Sequence, residues 1–128
     1  MLAHALLAAA ALTVHVDGWS VLRINGEAKA ARPGAVVPIC QAINITALTA
    51  RLRASVPGRS VRVRLVVPGH RPRYRSVRLR RRTRVMFTPR DLRLRDELFP
   101  EGTYRLAVRR RGRVLDRAVL HVRGGGFC

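Results

Sequence analysis

The chain has 128 residues, 48% of them hydrophobic, and carries 26 basic residues against seven acidic ones, for a formal net charge of +19. That length suits one domain with a real core, and the apolar share excludes a disordered polycation. Residues 1–50 hold three basic and two acidic side chains, whereas residues 51–128 hold 23 arginines and five acids. A fold this positive repels itself and gains from an acidic partner. Only Lys29 is a lysine. Coding bias in a GC-rich genome explains the choice of arginine over lysine, but not the scarcity of acids.

The first twelve residues, MLAHALLAAAAL, are apolar and end in small side chains, as a secretory leader does, but they lack its basic start. Residues 1–11 are therefore either a leader or an apolar first segment, too short to span a bilayer. Residues 12–128 are expected to form a single domain. Leu12, Val14 and Val16 alternate, and Asp17-Gly18 predicts a hairpin turn into SVLRI, which Asn25-Gly26 ends. GEAKAARPG (26–34) reads as loop, and AVVPIC as a short edge strand because Pro38 cannot donate to a central ladder.

Residues 44–55 fit two patterns. Ile45, Leu48 and Leu52 suit a helix face, while Leu48, Ala50, Leu52 and Ala54 suit a strand. Strand is preferred because the neighbouring segments are strands. SVRVRLVV (60–67) alternates plainly, with Val61, Val63 and Leu65 on one face and Arg62 and Arg64 on the other. In YRSVRLRRRTRV (74–85), Val77 and Leu79 continue that alternation, and Val85 with Phe87 resumes it. Burying Arg81 without a partner would be costly, so the chain is expected to turn at 80–83 and form a hairpin with its arginines on one sheet face. TPRDLRLRDELFPEG (88–102) is a polar connection holding most of the acids, and 102–122 is a hairpin with Tyr104, Leu106 and Val108 inward. About seven to nine short strands at this spacing predict an all-β sandwich or barrel.

FPEGTYRLAV, followed by a glycine turn and a last apolar strand, resembles the closing hairpin of bacterial immunoglobulin-like and fibronectin-like domains. The resemblance covers about 25 C-terminal residues and implies an antiparallel immunoglobulin-like β-sandwich in which the Tyr104 hydroxyl makes a corner hydrogen bond. The antibody pattern is absent, because Trp19 precedes both Cys40 and Cys128 instead of lying between them. These two cysteines are either a disulfide tying the C-terminal tail to the region before residue 45 or two unrelated thiols.

No catalytic, metal-binding or cofactor motif stands out. His4, His15, His70 and His121 lack pair spacing, and the acids between Asp91 and Glu101 sit among arginines that would pair with them. A non-catalytic protein without cofactor or metal is expected. Its anion- and partner-binding set is Arg62, Arg64, Arg78, Arg80, Arg82, Arg105, Arg109 and Arg111. The expected function is docking of this face onto an acidic protein surface or anionic polymer, as an exported or envelope-associated subunit of an oligomeric assembly. Two alternatives stand beside it: a cytoplasmic DNA- or RNA-phosphate binder, and a structural subunit of a filament, shell or capsid built through edge strands.

Overall fold

The computed structural model describes residues 11–39 and 44–124. The expectations for an apolar leader and for a Cys40–Cys128 bridge thus lie outside the described residues, Ala11 excepted. Strands form where apolar residues recur at every second position, many of them β-branched. In chain order they are β1 (Val14–Arg23), β2 (Ala28–Ala31), β3 (Val36–Pro38), β4 (Ile45–Ala54), β5 (Ser60–Val66), β6 (Arg73–Arg78), β7 (Arg82–Phe87), β8 (Gly102–Arg110) and β9 (Arg113–Arg123). A four-stranded sheet, ordered β2-β1-β4-β7, packs on a five-stranded sheet, ordered β3-β9-β8-β5-β6. Among the described strands only β3 and β9 pair in parallel, with Val37 opposite Val122. The ambiguous 44–55 segment is strand, and no described helix is long and apolar enough to cross a membrane.

Inward side chains interleave between the sheets: Val21, Leu52 and Phe87 from one, Leu65, Leu106 and Leu120 from the other, all buried. Burying each side chain of this size contributes roughly 1.5–3 kcal/mol. The connection after β7, which reads as polar, also adds to the core, because Leu92 and Leu94, each between exposed charged neighbours, and Phe99 are buried. Tyr104 is fully buried, and its hydroxyl donates to the Pro100 carbonyl at 2.5 Å, which is the expected corner bond. Gly102, two residues earlier, has φ +133°, and a Cβ there would lie 2.6 Å from Pro68 Cγ. At the far side two bonds tie β1 to β9. The Trp19 Nε1–H donates to the Val119 carbonyl at 3.3 Å, and the Val16 N–H donates to Asp116 Oδ2 at 2.7 Å.

Three expectations are corrected. Asp17-Gly18 is not a turn. β1 runs through it with a bulge, since Val16 faces Leu52 and Gly18 faces Arg51, leaving Asp17 as the extra residue. The bulge shifts the inward phase from Val14 and Val16 to Trp19 and Val21, so all four are buried. Within GEAKAARPG, Ala28–Ala31 is an edge strand that pairs with β1 but buries almost nothing, hence its lack of an apolar pattern.

The third correction concerns the arginine run. Residues 74–85 are not a hairpin: β6 pairs with β5 in one sheet, and β7 pairs with β4 in the other. The turn does fall near the expected place, but it crosses between sheets. Its pivot is Leu79, buried and bonded through both backbone groups to the 58–59 turn (Leu79 N–H to the Arg59 carbonyl at 2.8 Å, Gly58 N–H to the Leu79 carbonyl at 2.7 Å).

Candidate anion-docking face

The alternation that buries Val61, Val63 and Leu65 sends Arg62 and Arg64 to the outer face of the five-stranded sheet. The same rule on β8 buries Tyr104, Leu106 and Val108 and turns Arg105 and Arg109 outward. Register then sets the neighbours. Arg62 lies between Ser76 on β6 and Arg109 on β8, Arg64 lies between Tyr74 and Ala107, and Val66 faces Arg105. Arg78 sits opposite Ser60 at the edge of this patch.

Arg62 and Arg109 are therefore directly opposed like charges, an arrangement that destabilises a bare sheet. The carboxylates of the described residues do not relieve it. Their ion pairs join Arg53 to Asp17 (3.3 Å), Arg75 to Asp91 (3.4 Å), Arg90 to Glu97 (4.0 Å) and His15 to Asp116 (3.7 Å), and include none of the five arginines on this face.

Tyr74 organises the centre of the patch. Its ring carries the Arg62 guanidinium 4.3 Å from the centroid, and its hydroxyl accepts from Arg64 Nε–H at 3.2 Å. Stacking of this kind contributes about 0.5–1 kcal/mol at an exposed site and limits the rotamer freedom of the arginine. Two long cations are thus held on one half-exposed tyrosine, one over its ring and the other at its hydroxyl.

Of the eight expected residues, Arg62, Arg64, Arg78, Arg105 and Arg109 share this face. Arg80 lies in the crossover, where its N–H donates to the Thr83 hydroxyl. Arg82 opens β7 on the opposite sheet, facing Arg53, so it belongs to another surface. Arg111 occupies the two-residue β8–β9 turn with φ +50°. Arg73 and Arg75 are β6 residues engaged elsewhere. Arg73 Nε–H donates to the Leu92 carbonyl at 3.2 Å, while Arg75 stacks over Phe87 at 4.8 Å and bonds the Met86 carbonyl and Asp91. Hydrogen bonds from the Thr88 hydroxyl and backbone N–H, with the Arg75 guanidinium adding a smaller effect, hold the Asp91 carboxyl below its ordinary range.

Two residues were missed. Tyr74 carried no signal beyond its place in the strand rhythm. Arg117, opposite Ala107 on β9, is exposed in the row of Arg64. Ala118, Leu120 and Val122 are buried on β9, and strand alternation turns Arg117 outward.

No family model matches the sequence, and no curated protein matches it. Among solved structures, the chain is similar to an immunoglobulin-like protein from Pseudomonas aeruginosa, with a TM-score of 0.55 and 16% identity over 91% of this chain and 99% of that one. At that identity the likeness concerns fold alone. The two sheets, their order and this likeness define an immunoglobulin-like β-sandwich.

Proposed function

We propose that the protein is a non-catalytic binding module that docks onto an acidic partner through the outer face of its five-stranded sheet. The observation that carries this reading is the Arg62–Tyr74–Arg64 cluster beside Arg109, cations fixed in place with no carboxylate to neutralise them among the described residues. Planar guanidinium forks held at strand spacing suit rows of carboxylates on a rigid surface, and desolvation on docking strengthens each pair. In this reading the chain is an exported or envelope-associated accessory subunit, and assembly supplies the negative charge that the fold lacks.

The test is amide chemical-shift mapping with poly-glutamate as the acidic probe. Perturbations should concentrate on the outward residues of β5, β6, β8 and β9. Shifts spread evenly over every arginine-bearing surface would contradict the reading.

A second reading draws on Tyr74 itself, which is 47% exposed. An aromatic platform among arginines also suits a base of single-stranded nucleic acid, with phosphates on Arg62, Arg64 and Arg109. In that case affinity for an oligonucleotide would fall by orders of magnitude between ~50 and ~200 mM salt. It would also exceed the affinity for poly-glutamate of equal charge, and Tyr74→Ala would remove the difference.

A further inference from the structure

We propose that the outer face of the four-stranded sheet holds a separate site for a doubly charged oxyanion of the phosphate or sulfate class, formed by Arg51, Arg82 and Arg84. The inference is independent of docking on the opposite sheet. In register, Arg51 stands directly opposite Arg84, and Arg53 opposite Arg82, so two like-charge pairs occur side by side on adjacent strands. Arg51, Arg82, Arg84 and Thr83 line a groove of ≈ 470 Å³ together with Asp17. Asp17 is the one carboxylate there, and it is engaged with Arg53 at 3.3 Å. That leaves the other three guanidiniums without an acid partner among the described residues.

The β1 bulge builds the site. A Cβ on Gly18 would lie 2.8 Å from an Arg51 Nη and 2.5 Å from the Ala31 carbonyl oxygen, so only glycine leaves room for the guanidinium to lie over β1. Arg51 is held there with its Nε buried and without a hydrogen-bond partner. A buried donor without a partner is costly, and a guanidinium fork donates two parallel hydrogen bonds to the oxygens of a tetrahedral oxyanion. Arg84, across the strand pair, and Arg82, two positions along β7 on the same face, place further positive charge on the same groove. A single carboxylate would neutralise only part of this charge, whereas a dianion matches it better.

The experiment follows the arginine Nε–H resonances of the intact protein during titration with inorganic phosphate and, separately, with a short linear polyphosphate. Arg51 and Arg84 should shift saturably. Arg51→Gln and Arg84→Gln should each weaken binding by about tenfold or more, the loss of one charge-assisted bond pair. Arg84 is exposed, so its variant keeps the test valid if Arg51→Gln fails to fold. Arg62→Glu/Arg64→Glu should retain the phosphate response, which separates this site from the docking face. Equal affinity per phosphate for the two probes assigns an isolated phosphate group as the ligand, and tighter binding of polyphosphate assigns a polymer. Shifts that never saturate, or that persist unchanged in both Gln variants, would overturn the site.

Discussion

Across the β5–β6 pair Arg62 reaches diagonally to Tyr74, its guanidinium 4.3 Å from the ring centroid, while Arg64, directly opposite the tyrosine, bonds its hydroxyl at 3.2 Å. The tyrosine contributes little to the core. Its effect is to hold two cations in one orientation where no carboxylate among the described residues pairs with them, so the ordering entropy is met before a partner arrives.

Tyr74→Ala should therefore weaken poly-glutamate binding by about 2–5-fold, the equivalent of one exposed cation–π contact. Tyr74→Phe should recover most of that loss, because it keeps the stack and gives up only the bond from Arg64. Isothermal titration of the two variants separates these contributions. Equal losses in both would mean that the hydroxyl, and not the ring, organises the face.

At the opposite end of β8, Arg111 and Gly112 both have positive φ (+50° and +76°), the geometry of a two-residue hairpin that favours Asn-Gly. An arginine is poorly suited to the first of these positions. Arg111→Asn should stabilise the fold by about 0.5–1 kcal/mol, read as a rise in denaturation midpoint at unchanged m-value.

Gly18→Ala should be among the most damaging single-methyl changes in the chain. The new Cβ would overlap the Ala31 carbonyl and displace Arg51. The expected loss is about 3 kcal/mol or more, from strained backbone together with a steric clash. Gly26→Ala makes a useful control: it also has positive φ (+85°), but its Cβ would meet no atom within 4 Å. It should cost only the backbone strain, about 1–2 kcal/mol.

Burial raises the pKa of the Tyr104 phenol above its ordinary value. The folded state thus disfavours the phenolate, and the stability that this group contributes is complete below about pH 10, its unfolded value, and declines as pH rises beyond it. Tyr104→Phe should lose about 1 kcal/mol at neutral pH with the bond to Pro100, and should flatten this alkaline decline. Asp91 acts in the opposite direction. Its lowered pKa gives stability present above about pH 4 and lost as pH falls through the folded value, so Asp91→Asn should flatten the acid limb.

The strands that carry the docking face were legible because their alternation is local: β5 and β8 each bury three apolar residues in strict period two. The tyrosine corner was legible through the resemblance of FPEGTYRLAV to the closing hairpin of immunoglobulin-like domains, and the Tyr104 hydroxyl does bond the Pro100 carbonyl. Sheet membership was not legible. The sequence around Leu79 and Arg80 reads identically whether β7 folds back on β6 or crosses to β4, and only the strand that remains to be paired decides it. Asp17-Gly18 misled because one dipeptide serves a turn or a bulge, and here the choice depends on β4, some 30 residues downstream. Thus Arg82 was assigned to the wrong face, whereas Arg62, Arg64, Arg78, Arg105 and Arg109 were assigned to a shared one.

The most direct test of the docking face compares two charge reversals of equal size for their affinity to poly-glutamate at one salt concentration. One variant carries Arg62→Glu, Arg64→Glu and Arg109→Glu. The other carries Arg90→Glu, Arg93→Glu and Arg95→Glu in the exposed connection after β7. Net charge is the same in both, so long-range attraction is matched. The face variant should lose about 100-fold or more, roughly three desolvated charge pairs, while the loop variant stays within about threefold of wild type. Equal losses in the two variants would contradict a defined docking face and leave only the overall positive charge.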